Sequence, residues 1–263
     1  MPNRMFRTPI SKQTSVLHAS LLLEPRTDWL DAALTPNPVG LTPLERARLA
    51  AHWARLGQME HASIAAFTRF NLQLLSLGAP SHLVEACNRA VADETAHARS
   101  CFALASAYGG TAVGPAQLDI EHHFEAASQE SIAKLVLREG CLGETVASLE
   151  AARAAELAVD PTVKLALLRI ASDERDHAEL ACQFLRWTLS VCPLETRHEL
   201  ARSAAQQLAD FESEARNRIV TRSDERLVGH GLLEGDALRE IHLAAVRDVS
   251  RPLFSALFDL EAA

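Results

Sequence analysis

From Thr42 to Val191 apolar positions recur at helical spacing, and the breaks between periodic stretches carry helix-ending residues. Thr42-Pro43-Leu44-Glu45 reads as an N-cap, a proline at the first helical position and a glutamate at the third. The first helix follows with the stripe Trp53, Leu56, Glu60, Ile64, Phe67, Asn71 and Leu74, and Leu77-Gly78-Ala79-Pro80 ends it. A second helix runs from Ser81 to about Tyr108 and stops at Gly109-Gly110. After a longer link, Thr111 to about Glu125, a third helix is predicted from about Ser128 to Leu157. Asp160-Pro161 turns the chain into a fourth, ending near Val191 before Pro193. Short turns make each pair antiparallel, and the long link lets the chain cross the end of the assembly.

Beyond Pro193 two more helical stretches are expected, about Leu194 to Val220 and Gly235 to Leu260, around the loop Val228-Gly229-His230-Gly231. His230 and His242 are expected at the surface or an interface. Residues 1–42 hold five prolines and little periodicity, predicting an irregular arm with a short helix around Asp28 to Leu34. The organisation is therefore all-α: an arm over 1–42, a four-helix body over 43–191 and a helical extension over 192–263.

Two of the apolar stripes carry a carboxylate and an imidazole together. Asp93-Glu94-Thr95-Ala96-His97 lies among Val84, Cys87, Val91, Cys101 and Ala105; Asp173-Glu174-Arg175-Asp176-His177 lies among Val163, Leu167, Ile170, Ala181 and Phe184. At three residues' spacing the glutamate and histidine of each stretch share a helix face. A buried carboxylate must take up a proton or find a cation. Each Glu-x-x-His helix follows a helix with its own inward glutamate, so the two hairpins look like a diverged duplication around a shared cation site.

Glu60 is the inward glutamate of the first helix. On the third, Glu139 and Glu144 both qualify, and five residues apart they cannot share a face of a regular α-helix. The stripe Ile132, Leu135, Val136, Leu142 and Val146 favours Glu139. Counted from the turn prolines, Glu144 lies roughly 3 Å and Glu139 roughly 4.5 Å out of the register set by the first hairpin. Gly140, Cys141, Ala147 and Ser148 leave room beside Glu144, which is the preferred reading. Glu139 then becomes an additional ligand through a π-bulge or a buried acid behind the ligands.

A Glu on the first and third helices with Glu-x-x-His on the second and fourth resembles the ligand set of the ferritin-like di-iron and di-manganese carboxylate proteins, over roughly residues 43 to 190. The resemblance implies a ferritin-like four-helix bundle with a long crossover, holding two iron ions, with manganese or a mixed pair as alternatives. Glu60, Glu94, His97, Glu144, Glu174 and His177 would be the metal ligands and the catalytic set. The Glu144 to Glu174 spacing resembles that of the aldehyde-deformylating oxygenases and the tRNA-modifying hydroxylases. In the oxygenase branch, the aspartates before the ligand glutamates orient the opposite imidazoles, so Asp173 would support His97 and Asp93 would support His177. Carboxylate and imidazole donors suit iron and manganese.

The implied activity is O2-dependent oxidation or oxygenation of a small organic substrate, fed by an external electron donor. The small residues Ala62, Ser63, Ala66, Gly140, Gly143 and Ala147 permit a cavity or close helix packing. Iron storage or peroxide defence of the ferritin, rubrerythrin or dimanganese-catalase kind is the competing reading. It is weakened by the missing rubredoxin-like four-cysteine segment and by the added terminal segments. A scaffold that has lost its metal is a third.

The net charge of −8 argues against a broadly basic nucleic-acid surface, and no apolar run reaches membrane-spanning length. The first 23 residues lack a signal-peptide core, so a cytoplasmic location is expected, with the arm packed on the body or used in a homodimer. Five cysteines without CxxC spacing are expected to be reduced, mostly buried thiols. Tyr108, eleven residues after His97, is about 16 Å along the helix from any metal and is no candidate for a radical.

Overall fold

The computed structural model describes residues 22–120, 127–219 and 224–258. Half of the predicted N-terminal arm, part of the long link, Val220 and Leu260 lie outside the described residues.

The chain is mostly helical. Helix α1 (Pro43–Ser76) opens with the predicted capping box: the Thr42 side chain accepts from Glu45 N, and the Glu45 carboxylate accepts from Thr42 N. Helix α2 (Ser81–Gly109) closes on Gly110, whose φ of 77° is open to glycine without strain. The third rod is continuous but not uniform: α3 (Gln129–Val136) leads into a π-helical segment (Leu137–Glu144) and then α4 (Thr145–Leu157). Helix α5 (Pro161–Val191) starts from Asp160, whose carboxylate accepts from the amides of Thr162 and Val163.

The hairpins pair α1 with α2 and the third rod with α5, and α2 packs on α5. Along α2, Cys87 and Ala90 belong to one apolar cluster and Cys101 and Leu104 to another. Along α5, Leu180 and Phe184 belong to the first cluster and Leu167 and Ile170 to the second. The polar residues Glu94, His97, Glu174 and His177 fall between, so a buried charged layer divides the core in two.

The C-terminal segment forms α6 (Leu194–Arg216), the short α7 (Glu225–Val228), α8 (Gly235–Ala244), a second π-helical segment (Ala245–Ser250) and α9 (Arg251–Phe258). Leu200, Ala204 and Leu208 of α6 and Phe254 of α9 enter the same apolar cluster as Ile132, Leu137 and Leu185.

Four details differ from the sequence reading. Asp28 to Leu34 forms turns, not a helix, because the Asp31 side chain and carbonyl capture the amides of Ala33 and Leu34. A two-residue strand β1 (Leu23–Glu24) pairs antiparallel with β2 (Gly114–Pro115), tying arm to link. His230 is buried, with its Nδ1 2.8 Å from the Tyr108 hydroxyl. His242 is half-buried, bonded to Glu150 and stacked on Phe211, since α8 packs on α4 and α6.

The His230 loop closes against α1, where Trp53 Nε1 donates to the His230 carbonyl. Gly231 has φ of 90°, and a Cβ there would lie 2.7 Å from Trp53 Cζ2 and 3.1 Å from Val163. Gly231→Ala is therefore expected to cost about 3 kcal/mol, read as a lower urea midpoint at unchanged slope.

Candidate metal centre

Four elements bring the charged layer together. Glu60 comes from the middle of α1, Asp93, Glu94 and His97 from α2, Glu144 from the end of the π-helical segment, and Asp173, Glu174 and His177 from α5. Glu94 and His97 are each 1% exposed and Glu174 and His177 each 3%, while Glu60 and Glu144 edge a cavity.

The donors form two overlapping groups, Glu60, Glu94, His97 and Glu174, and Glu94, Glu144, Glu174 and His177. Within each, one ligand atom per residue lies within 4.8 Å of all the others. The two glutamates common to both divide their oxygens between the groups. Glu174 sets Oε1 3.4 Å from His97 Nδ1 and Oε2 3.1 Å from His177 Nδ1. Glu94 sets Oε2 4.0 Å from His97 Nδ1 and Oε1 3.3 Å from His177 Nδ1. Glu60 Oε2 lies 3.8 Å from His97 Nδ1 on the outer side of the first group.

Both imidazoles turn Nδ1 inward and Nε2 outward to an aspartate of the opposite hairpin. His97 Nε2 is 3.0 Å from Asp173 Oδ2, and His177 Nε2 is 3.5 Å from Asp93 Oδ2. Asp173 accepting from Nε2–H of His97 leaves its Nδ1 as the lone-pair nitrogen, the form that binds a metal, whereas His177 Nε2 is buried near Asp93 without a hydrogen bond to it.

Charge balance within the layer is supplied by protons. Burial, with Glu60 and Glu174 nearby, pushes Glu94 well above the usual carboxylate range; burial beside Glu174 and Glu94 does the same to Glu144. Burial opposes ionisation of Glu174 too, yet the hydrogen bond with His177 and the His97 imidazole 3.4 Å away hold it down to about 2. Burial likewise opposes a charged His97, but Glu174 and Glu60 push it up to about 11, and Glu174 raises His177. Such a layer suits cations. His97 Nδ1 and Glu94 Oε2 are buried without a hydrogen-bond partner, both inside the cluster. Four carboxylates balance two divalent ions, and binding them would release the protons.

Glu139 is in neither group. It lines the same cavity but pairs with the buried Arg69 at 3.5 Å, and burial raises its pKa. A π-helical turn closes over five residues, so Glu139 and Glu144 share a side despite their spacing. Gly140 permits this at close quarters, since a Cβ there would sit 2.5 Å from the Ala181 Cβ of α5.

The cavity, about 460 Å³, runs between α1 and the third rod and reaches Glu60, Glu94, Glu144, Glu174 and His177. Its walls are mainly apolar, and the small residues Ala62, Ser63, Ala66, Gly140, Gly143 and Ala147 all line it. Phe67 lies over His177, ring centres 5.0 Å apart. His61 instead packs edge-on against Trp29, away from the cluster, and Arg175 and Asp176 form an exposed pair. Sequence reasoning missed Arg69 and His52 as lining residues. The signal for Arg69 was a cation beside Phe70 in an otherwise apolar stretch of α1.

No helix among the described residues is long and apolar enough to cross a membrane. Comparison with protein-family models, with curated proteins and with solved structures finds no match for this chain.

Proposed function

We propose that the chain is a ferritin-like four-helix protein with a dinuclear centre that activates O2 to oxidise or oxygenate a small organic substrate. The observation that carries this reading is the division of the Glu94 and Glu174 oxygens between two His-containing groups. One ion calls for a single cluster of donors. Two groups sharing two carboxylates fit a pair of ions, with Glu94 and Glu174 each offering an oxygen to both.

Glu60, Glu94, His97 and Glu174 would hold one ion and Glu94, Glu144, Glu174 and His177 the other. When bound, two iron ions supply the one- and two-electron chemistry that O2 requires; manganese or a mixed pair fits the same donors. Asp173 fixes the His97 tautomer through its hydrogen bond, and Asp93 lies 3.5 Å from His177 Nε2, where it would do the same on a small approach. The apolar walls of the cavity exclude water and seat an organic molecule against the open edges of Glu60 and Glu144. That cavity favours substrate oxidation over iron storage, which needs no such space. Turnover calls for an external electron donor.

Metal analysis of the purified chain is expected to give about two iron or manganese ions per polypeptide. The ferrous-loaded chain should then consume O2 in a single turnover that accelerates with an organic substrate present. Fewer than one ion per chain would overturn the dinuclear reading. Peroxide turnover without substrate-dependent O2 uptake would move the assignment to peroxide defence.

A further inference from the structure

Cys141 and Cys182 face each other across the closest approach of two helices. Cys141 sits in the π-helical segment and Cys182 on α5, with their sulfurs 3.9 Å apart, within hydrogen-bonding reach. Next to them, Gly140 and Ala181 bring the backbones so near that a Cβ built on Gly140 would be 3.8 Å from Ala181 Cα. The backbones are thus close beside the cysteines, and closing the 3.9 Å gap between the sulfurs to a bond of about 2 Å calls for only a small shift. The two sulfurs differ in access. Cys141 is fully buried, whereas Cys182 is partly exposed.

We infer that Cys141 and Cys182 form a redox modification site, closing to an intramolecular disulfide when a hydroperoxide, such as hydrogen peroxide, reaches the exposed face of Cys182. The Cys182 sulfur attacks one peroxide oxygen and the O–O bond breaks. The departing hydroxide leaves as water with the thiol proton, and Cys182 becomes a sulfenic acid. The Cys141 sulfur then attacks the Cys182 sulfur, forming S–S and breaking S–O, and the second oxygen leaves as water with the Cys141 proton. Two thiols are oxidised and one peroxide is reduced to two waters. The hydrogen bond from Cys141 holds the Cys182 thiol below its usual range, which favours it as the attacking group.

The remaining thiols are internal controls. Cys87, Cys101 and Cys192 are buried, and Cys87 donates to the Phe67 carbonyl. The bond would tie the segment bearing Glu144 to the helix bearing Glu174 and His177. The inference stands on sulfur geometry and does not depend on the metal reading.

The test treats the full chain, as purified, with equimolar hydrogen peroxide, then counts thiols under denaturing conditions and maps peptides by mass spectrometry. Titratable thiols are expected to fall from five to three, with a dithiothreitol-reversible Cys141–Cys182 peptide that has lost two hydrogens and gained no oxygen. Cys141→Ser should leave Cys182 as a sulfenic acid labelled by dimedone, and Cys182→Ser should keep all four remaining thiols reduced. A disulfide between chains, a sulfinic acid at Cys182 in the unsubstituted protein, or no thiol loss would overturn the proposal.

Discussion

Glu94→Gln or Glu174→Gln is expected to empty the whole centre, whereas His97→Ala is expected to empty half of it. Each glutamate gives an oxygen to both groups, so losing one would remove a donor from either ion. His97 belongs to one group only, and Glu94, Glu144, Glu174 and His177 remain intact without it. Metal content should fall from about two ions per chain to near none in the glutamine variants and to about one in His97→Ala. Glutamine keeps the shape of the side chain and removes a carboxyl group costly to bury, so both variants should fold and bind weakly, by more than about 100-fold. Equal losses in all three variants would show that the shared glutamates do not bridge.

Raising the pH should destabilise the chelator-treated chain and leave the metal-loaded chain nearly unaffected. His97 is held up to about 11 against an ordinary 6.5, and His177 is raised as well, so the folded chain keeps protons that the unfolded chain sheds above pH 6.5. Their contribution is whole below pH 6.5 and is lost as the pH climbs toward the folded values. Glu94 and Glu144, also raised, act in the same direction from about pH 4.5 upward. Glu174 acts oppositely: held down to about 2, it withdraws its contribution only as the pH falls below 4.5. Between pH 6.5 and 9, His97 alone accounts for about 3 kcal/mol on an order-of-magnitude scale. A fall in melting temperature of about 5–10 °C is expected. With ions bound the imidazoles are already deprotonated and the slope should vanish. Parallel melting curves for both forms would refute this account of the layer.

The meeting of Glu60, Glu94, His97, Glu144, Glu174 and His177 at one place was legible because helical periodicity carries a polar residue into a core as surely as an apolar one. Two matching Glu-x-x-His stretches in antiparallel hairpins then have few ways to be buried apart. The π-helical segment was harder, since no residue pattern announces it; only the conflict between the apolar stripe favouring Glu139 and the register favouring Glu144 hinted at a change of phase. Once the turn takes five residues, both glutamates face the cavity and Arg69 neutralises the one outside the cluster. The β1–β2 pair and the burial of His230 and His242 arise from contacts across long sequence separations, which local patterning does not encode.

The two donor groups do not coincide with the two hairpins. The group around His97 takes Glu174 from the second hairpin, and the group around His177 takes Glu94 from the first, while each imidazole leans on an aspartate across the divide. Neither hairpin therefore owns a complete pocket for an ion. Bound cations would act as staples between the two hairpins, and part of their binding energy would hold the hairpins together.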